Sequence, residues 1–160
     1  MRFGSTLFLR IAVVIIGLPV LALCVFVVPE IGKFTAKLYP DMAFLKYFIL
    51  ADLYAAAIPF YSALFQAFKL LRFIDRNDAF SELSVKALRS IKYCAVIISG
   101  LMAAGMPMFY LIAEKDNAPG IILIGLIIIF ASIVIAVFAA VLQRLLLDAI
   151  TIKSENDLTV

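Results

Sequence analysis

The sequence predicts an all-α integral membrane protein, with four transmembrane helices and an amphipathic connector helix on the cytoplasmic side. Three observations predict it. Of the 160 residues, 66% are hydrophobic and only 16% charged, and the mean hydropathy is +1.14; a soluble domain is nearer about 45–50% apolar and about 25% charged. A soluble fold of this size cannot hide so much apolar surface, so lipid must solvate part of it. The apolar sequence also falls into four stretches of roughly span length. Finally, one long polar interruption, Lys69–Lys92, separates the four stretches two from two. It carries Lys69, Arg72, Arg76, Lys86, Arg89 and Lys92 against Asp75, Asp78 and Glu82.

Residues 1–160 read as one membrane domain. The first span is expected over 7–28, with Arg2 and Arg10 on its inner flank and Pro19 in its middle. A proline there removes a hydrogen bond to the Ile15 carbonyl and predicts a kink. Met1, Arg2 and the apolar run Ile11–Val28 imitate a signal peptide, but the run has the length of a span and Leu23 stands where a cleavage box needs a small residue. An uncleaved span is therefore expected. Pro29-Glu30 is expected to end it, with Ile31–Met42 as a loop whose Phe34 and Tyr39 suit the headgroup zone.

The second span, 43–68, holds Lys46, Asp52 and Pro59. Its Tyr47, Tyr54 and Tyr61 are seven apart and share one helix face. They read either as rings packed between helices or as the wall of a polar pathway. Ala55-Ala56-Ala57 offers a thin patch for a neighbouring helix.

In the connector, 69–92, Ile74–Asp78 reads as a turn, and Asp78 or Ser81 is placed to cap a helix. Phe80, Leu83, Ala87, Leu88 and Ile91 then recur at helical spacing between Lys86, Arg89 and Lys92. This predicts a basic amphipathic helix lying on the membrane or packing under the bundle, and running on into the third span, 93–113. That span carries the small-xxx-small pairs Ser99/Ala103 and Gly100/Ala104, a helix-packing signal, and Pro107. Glu114–Pro119 reads as a tight outer turn. The fourth span, 120–142, is followed by a tail, 143–160, whose helical pattern is expected to end near Ile152. The remaining KSENDLTV is polar.

Charge sets the orientation. With Arg2, Arg10, the six connector bases, Arg144 and Lys153 inside, only Lys33, Lys37, Lys46 and Lys115 remain outside. The positive-inside rule then places both termini in the cytoplasm.

Function is less legible. A net charge of +3 spread beside apolar segments suits anionic headgroups and predicts no direct nucleic-acid binding. The chain has no histidine, and Cys24 and Cys94 are its only cysteines; the pattern predicts no metal site, no cofactor and no catalytic residue set. No disulfide is expected between them, because Cys24 lies well up one span and Cys94 at the inner end of another. Asp52 is the one acid deep in a span. Such a carboxylate is either a helix-packing group or an ion, proton or ligand site. With Tyr54 and Tyr110 at comparable depth it forms a candidate polar site, expected near Tyr110 or a carbonyl freed by a proline. A second candidate is a cytoplasmic docking surface, with tail residues Glu155, Asp157, Leu158 and Val160 folded against Arg76, Lys86 and Arg89. The partners expected are the lipid bilayer and a cytoplasmic protein or a second copy.

The segments Ile58-Pro59-Phe60 with Ala63-Leu64, IDRNDAFSELSVKALRSI of the connector and SENDLTV of the tail carry a resemblance. In these the chain resembles the small four-span bacterial membrane proteins of the domain of unknown function 2975 family. The resemblance implies the four-span fold, a bacterial cytoplasmic membrane location and an association with a small helix-turn-helix regulator, and it implies no catalytic residues. Two function classes follow. One is a non-enzymatic interaction or regulatory protein using the connector and tail. The alternative is a small transporter, channel subunit or immunity-type protein built around Asp52.

Overall fold

The computed structural model describes residues 2–117 and 119–159. They form four long helical rods, each long and apolar enough to cross a membrane. The first is compound: α1 (Arg2–Ala22), a π-helical segment (Leu23–Val27) and α2 (Val28–Leu38). The others are α3 (Ala43–Asp75), α4 (Glu82–Asp116) and α5 (Gly120–Thr159).

Two boundaries differ from expectation, each for a local reason. Pro29 does not end the first rod, because it falls in the opening turn of α2, where its missing N–H costs nothing. The helix therefore runs through the expected loop as far as Leu38. The connector helix, as expected, packs against the bundle and runs on into the third span. Between Glu82 and Ser99 there is no Gly or Pro to interrupt propagation, so residues 82–92 are the first turns of the 35-residue α4. Its buried face there is Ser84, Val85, Ala87 and Leu88, while Phe80 and Leu83 stay on the outside of the bundle, half exposed or more. Likewise α5 has no breaker after Gly125 and continues to Thr159. Val160 lies outside the described residues.

The turns are as expected. Asn77 takes the left-handed conformation (φ 57°) that asparagine tolerates. Asn77 N–H donates to Ile74 O and Asp78 N–H to Phe73 O, which closes α3 with a Schellman motif. Asn117 (φ 55°) ends α4 before Pro119. Ser81 stands at the N-cap of α4, but its hydroxyl donates to Asp78 O instead of capping.

The π-helical segment explains a tyrosine. Val28 N–H reaches back to Leu23 O, and the next donor in line for the Cys24 carbonyl would be residue 29, a proline. That carbonyl is left over, and Tyr54 Oη donates to it at 3.0 Å. One turn pair further along α3, Tyr61 Oη donates to Gly17 O at 2.9 Å. Two of the three face tyrosines thus reach main-chain carbonyls of the first rod, whereas Tyr47 is 67% exposed.

α3 and α4 are central: α4 packs along both α3 and α5, and α1 and α2 pack on α3. The core joins Leu45, Ile49 and Ala56 of α3 to Met102, Phe109 and Ile112 of α4. α5 meets α4 through small buried residues, Gly125, Ser132, Ala136 and Ala139, spaced seven, four and three apart. The pairs expected to do this, Ser99/Ala103 and Gly100/Ala104, do not: Gly100, Ala103 and Ala104 are exposed. Small residues permit close approach, but the face is chosen by where the bulky neighbours bury. Among the described residues α1 and α5 are not in extended contact. They flank an apolar groove of about 740 Å³ at the connector end, floored by α3 and α4.

Candidate functional site

Asp52 lies on the core stripe of α3, continuing the spacing Leu45, Ile49, Asp52, Ala56. That spacing turns it toward α4, where it meets Gly105, itself on the stripe Met102, Gly105, Phe109, Ile112. The contact is backbone-close: a β-carbon added at Gly105 would collide with Asp52 Oδ2 and lie 3.0 Å from its Cγ. Asp52 Oδ2 is buried and has no hydrogen-bond partner among the described residues. The expected neighbour Tyr110 is 54% exposed, and Gly105 stands against Asp52 instead. Tyr54, two residues from Asp52, points away from it and is used by Cys24. The three residues expected as one polar site are thus separated, and glycine replaces tyrosine as the neighbour of Asp52. An orphan oxygen in such surroundings costs roughly 1–3 kcal/mol. It is also a vacant acceptor for a proton or a cation.

A second polar cluster was not anticipated as such. At the connector end Asp75, the last residue of α3, accepts from Thr6 Oγ1 and from Arg10 Nη2, both at 2.6 Å. The carboxylate is well covered, its side chain 17% exposed. An acid at a helix C-terminus opposes the helix dipole, so the pairing with Arg10 offsets an unfavourable placement. The signal was present in part, since Arg10 is the one charge inside the first apolar stretch. At the other end Tyr39 Oη donates to Leu111 O at 2.7 Å, and Lys115 Nζ lies 4.5 Å from the Tyr39 ring centroid.

The expected docking surface is not assembled. Among the described residues no ion pair joins Glu155 or Asp157 to Arg76, Lys86 or Arg89. The tail acids and Leu158 ride the exposed end of α5, with Leu158 83% exposed. The tail stays helical because nothing in it breaks the helix, and a rigid extension cannot fold back onto the connector. Cys24 and Cys94 are free thiols, half-buried and buried. Among the described residues no three Cys, Asp or Glu side chains come together as a metal ion would need.

These features define a class, the four-span helical membrane proteins whose rods are joined by three short connections. The chain belongs to the family described as "Protein of unknown function (DUF2975)", whose model matches residues 30–160. It is 67% identical over 156 residues to the uncharacterized membrane protein YoaS of Bacillus subtilis (strain 168), covering 98% of each chain. No solved structure matches it.

Proposed function

We propose that the chain is a non-enzymatic multi-pass protein of the bacterial cytoplasmic membrane, with both termini cytoplasmic, that binds a partner at its cytoplasmic face. The observation that carries this reading is α5. At 40 residues it is about 60 Å long, twice the roughly 30 Å hydrocarbon core. Its final turns are exposed, and they combine acids with the apolar Leu158. A protruding helix end with an apolar tip suits a protein partner better than a topology signal alone. A small helix-turn-helix regulator is the class the family resemblance implies, and a second copy is the other occupant to be tested.

The test is deletion of Ser154–Val160. The truncated protein should insert and accumulate normally yet lose partner recovery from native membranes by about tenfold or more, the worth of burying one leucine. Undiminished recovery of every partner would refute the reading. Orientation is measured separately, in a background carrying Cys24→Ser and Cys94→Ser. An impermeant maleimide applied to intact cells should label Asp116→Cys and leave Asp78→Cys unlabelled; the opposite pattern would invert the proposed topology.

One observation favours a second reading, a small transporter, channel subunit or immunity-type protein: the partnerless Oδ2 of Asp52 in the centre of the α3–α4 seam.

A further inference from the structure

Two adjoining hollows lie between α1 and α3, on a different side of the molecule from the large groove. The first, about 390 Å³, is lined by Arg10, Arg72, Phe65 and Phe68. The second, about 310 Å³, shares Phe65 and Phe68 and continues up the helices along Val14, Leu18, Leu21 and Leu64. A cationic mouth therefore opens into an apolar furrow. Lys69 is held at the same mouth, its Nζ 5.0 Å from the centroid of the Phe65 ring. Arg10 gives Nη2 to Asp75, which leaves further guanidinium donors. Arg72 is exposed and makes no ion pair among the described residues. Three cations thus lie about the mouth, and Asp75, the carboxylate that pairs with Arg10, is also engaged by Thr6.

We propose that this furrow binds one anionic phospholipid of the leaflet at the connector end, with its phosphate at Arg10, Arg72 and Lys69 and one acyl chain along the α1–α3 furrow. The dimensions agree. From Arg10 to Leu21 is eleven residues, about 16 Å of helix, close to the half-thickness of a roughly 30 Å hydrocarbon core. Charge selects the headgroup. A zwitterionic lipid would fill the furrow equally well but would leave the excess positive charge uncompensated. The apolar floor selects a lipid over a soluble anion, because phosphate alone gains nothing from Leu18 or Leu21. Among the described residues the first helix packs extensively on α3 and on no other of the three later rods along this length, so a lipid seated here completes the α1–α3 interface.

The experiment is native mass spectrometry of the full chain in detergent with an equimolar mixture of dioleoyl phosphatidylglycerol and dioleoyl phosphatidylcholine. The wild type should retain phosphatidylglycerol in preference. Arg72→Gln and Lys69→Gln should each lower that preference by about fivefold, the worth of one cation at an anionic headgroup. Lys153→Gln, on the exposed end of α5, should leave it unchanged. Val14→Trp should reduce retention of both lipids by filling the furrow. Helicity and thermal midpoint are compared throughout, and Lys69→Gln, at a cation outside the Asp75 cluster, carries the test if Arg72→Gln misfolds. No preference in the wild type, equal losses from Lys153→Gln, or displacement of the lipid by glycerol 1-phosphate at the lipid's own concentration would each overturn the proposal.

Discussion

Gly105→Ala destabilises this protein, and Asp52→Ala relieves most of the damage. The added β-carbon collides with Asp52 Oδ2 and lies 3.3 Å from Phe109 Cε2, so the carboxyl must rotate or α3 and α4 must part. Overpacking of this kind costs about 1–3 kcal/mol, and Gly105→Val, with two more carbons, costs more. Substituting Asp52 alone removes the orphan oxygen and leaves a small void, two effects of opposite sign. In the double variant the new methyl occupies the space vacated by the carboxyl. The coupling between the two positions is therefore expected to be about 1 kcal/mol or larger and favourable, measured as a double-mutant cycle of unfolding in mild detergent. Additive effects would show that the two residues do not share one space. The same cycle separates the two readings of Asp52. If it is a packing residue, Asp52→Asn is mild, Asp52→Leu is worse, and both follow stability. If it is a proton or cation site, both substitutions abolish function while the fold survives.

Asp75→Ala should loosen the first helix from the connector end while leaving α4 and α5 in place. Asp75 accepts from both Thr6 and Arg10, and hydrogen bonds to a charged group are worth about 1.5–3 kcal/mol each where they are buried. Arg10 is about a third exposed, so water recovers part of that loss, and we expect about 2 kcal/mol in all. Asp75→Asn keeps an acceptor for Thr6 and should recover part of the loss. The measurement is limited proteolysis of the amino-terminal turns in detergent. Faster cleavage before residue 11, with the α4–α5 hairpin intact, is the expected pattern. Uniform destabilisation of all four rods would instead assign Asp75 to the global core.

The spans were legible because their signals are local. Composition, length and the polar connector place four rods, and the turn over Ile74–Asp78 and the turn before Pro119 follow from Asn, Asp and Pro chemistry that acts within a few residues. What escaped was set by neighbours distant in sequence. Gly100 and Gly125 look alike in a sequence of small residues, but only Gly125 lands against a partner, Met106. Arg10 and Asp75 are 65 residues apart, and each has a sufficient local reading, one as a topology signal and the other as a turn residue. Asp52 was visible as an intramembrane acid. Its stripe with Leu45, Ile49 and Ala56 pointed it inward, yet nothing local says that the opposing residue is a glycine. The helix ends at Leu38 and Thr159 lie beyond expectation, because Pro29 falls in an opening turn where it breaks nothing and the apolar pattern of α5 stops before the helix does. A helix stops where a breaker or cap stops it, and water-exposed turns continue when none is present.

The tyrosine hydrogen bonds to the first rod have a consequence for how that rod tolerates change. Tyr54 and Tyr61 donate to the main-chain carbonyls of Cys24 and Gly17, and every amino acid presents such a carbonyl. The instructions for seating the first rod are therefore inscribed mainly on α3. On the rod itself they require thin spots at residues 17 and 32, where a β-carbon would stand 3.2 Å from Leu64 and 3.1 Å from Leu50, the Thr6 and Arg10 donors for Asp75, and a proline at residue 29 to keep one carbonyl unspoken for. The exposed positions between them ask only for apolar side chains. A segment anchored in that way can exchange one lipid-facing apolar side chain for another while its place in the molecule stays the same.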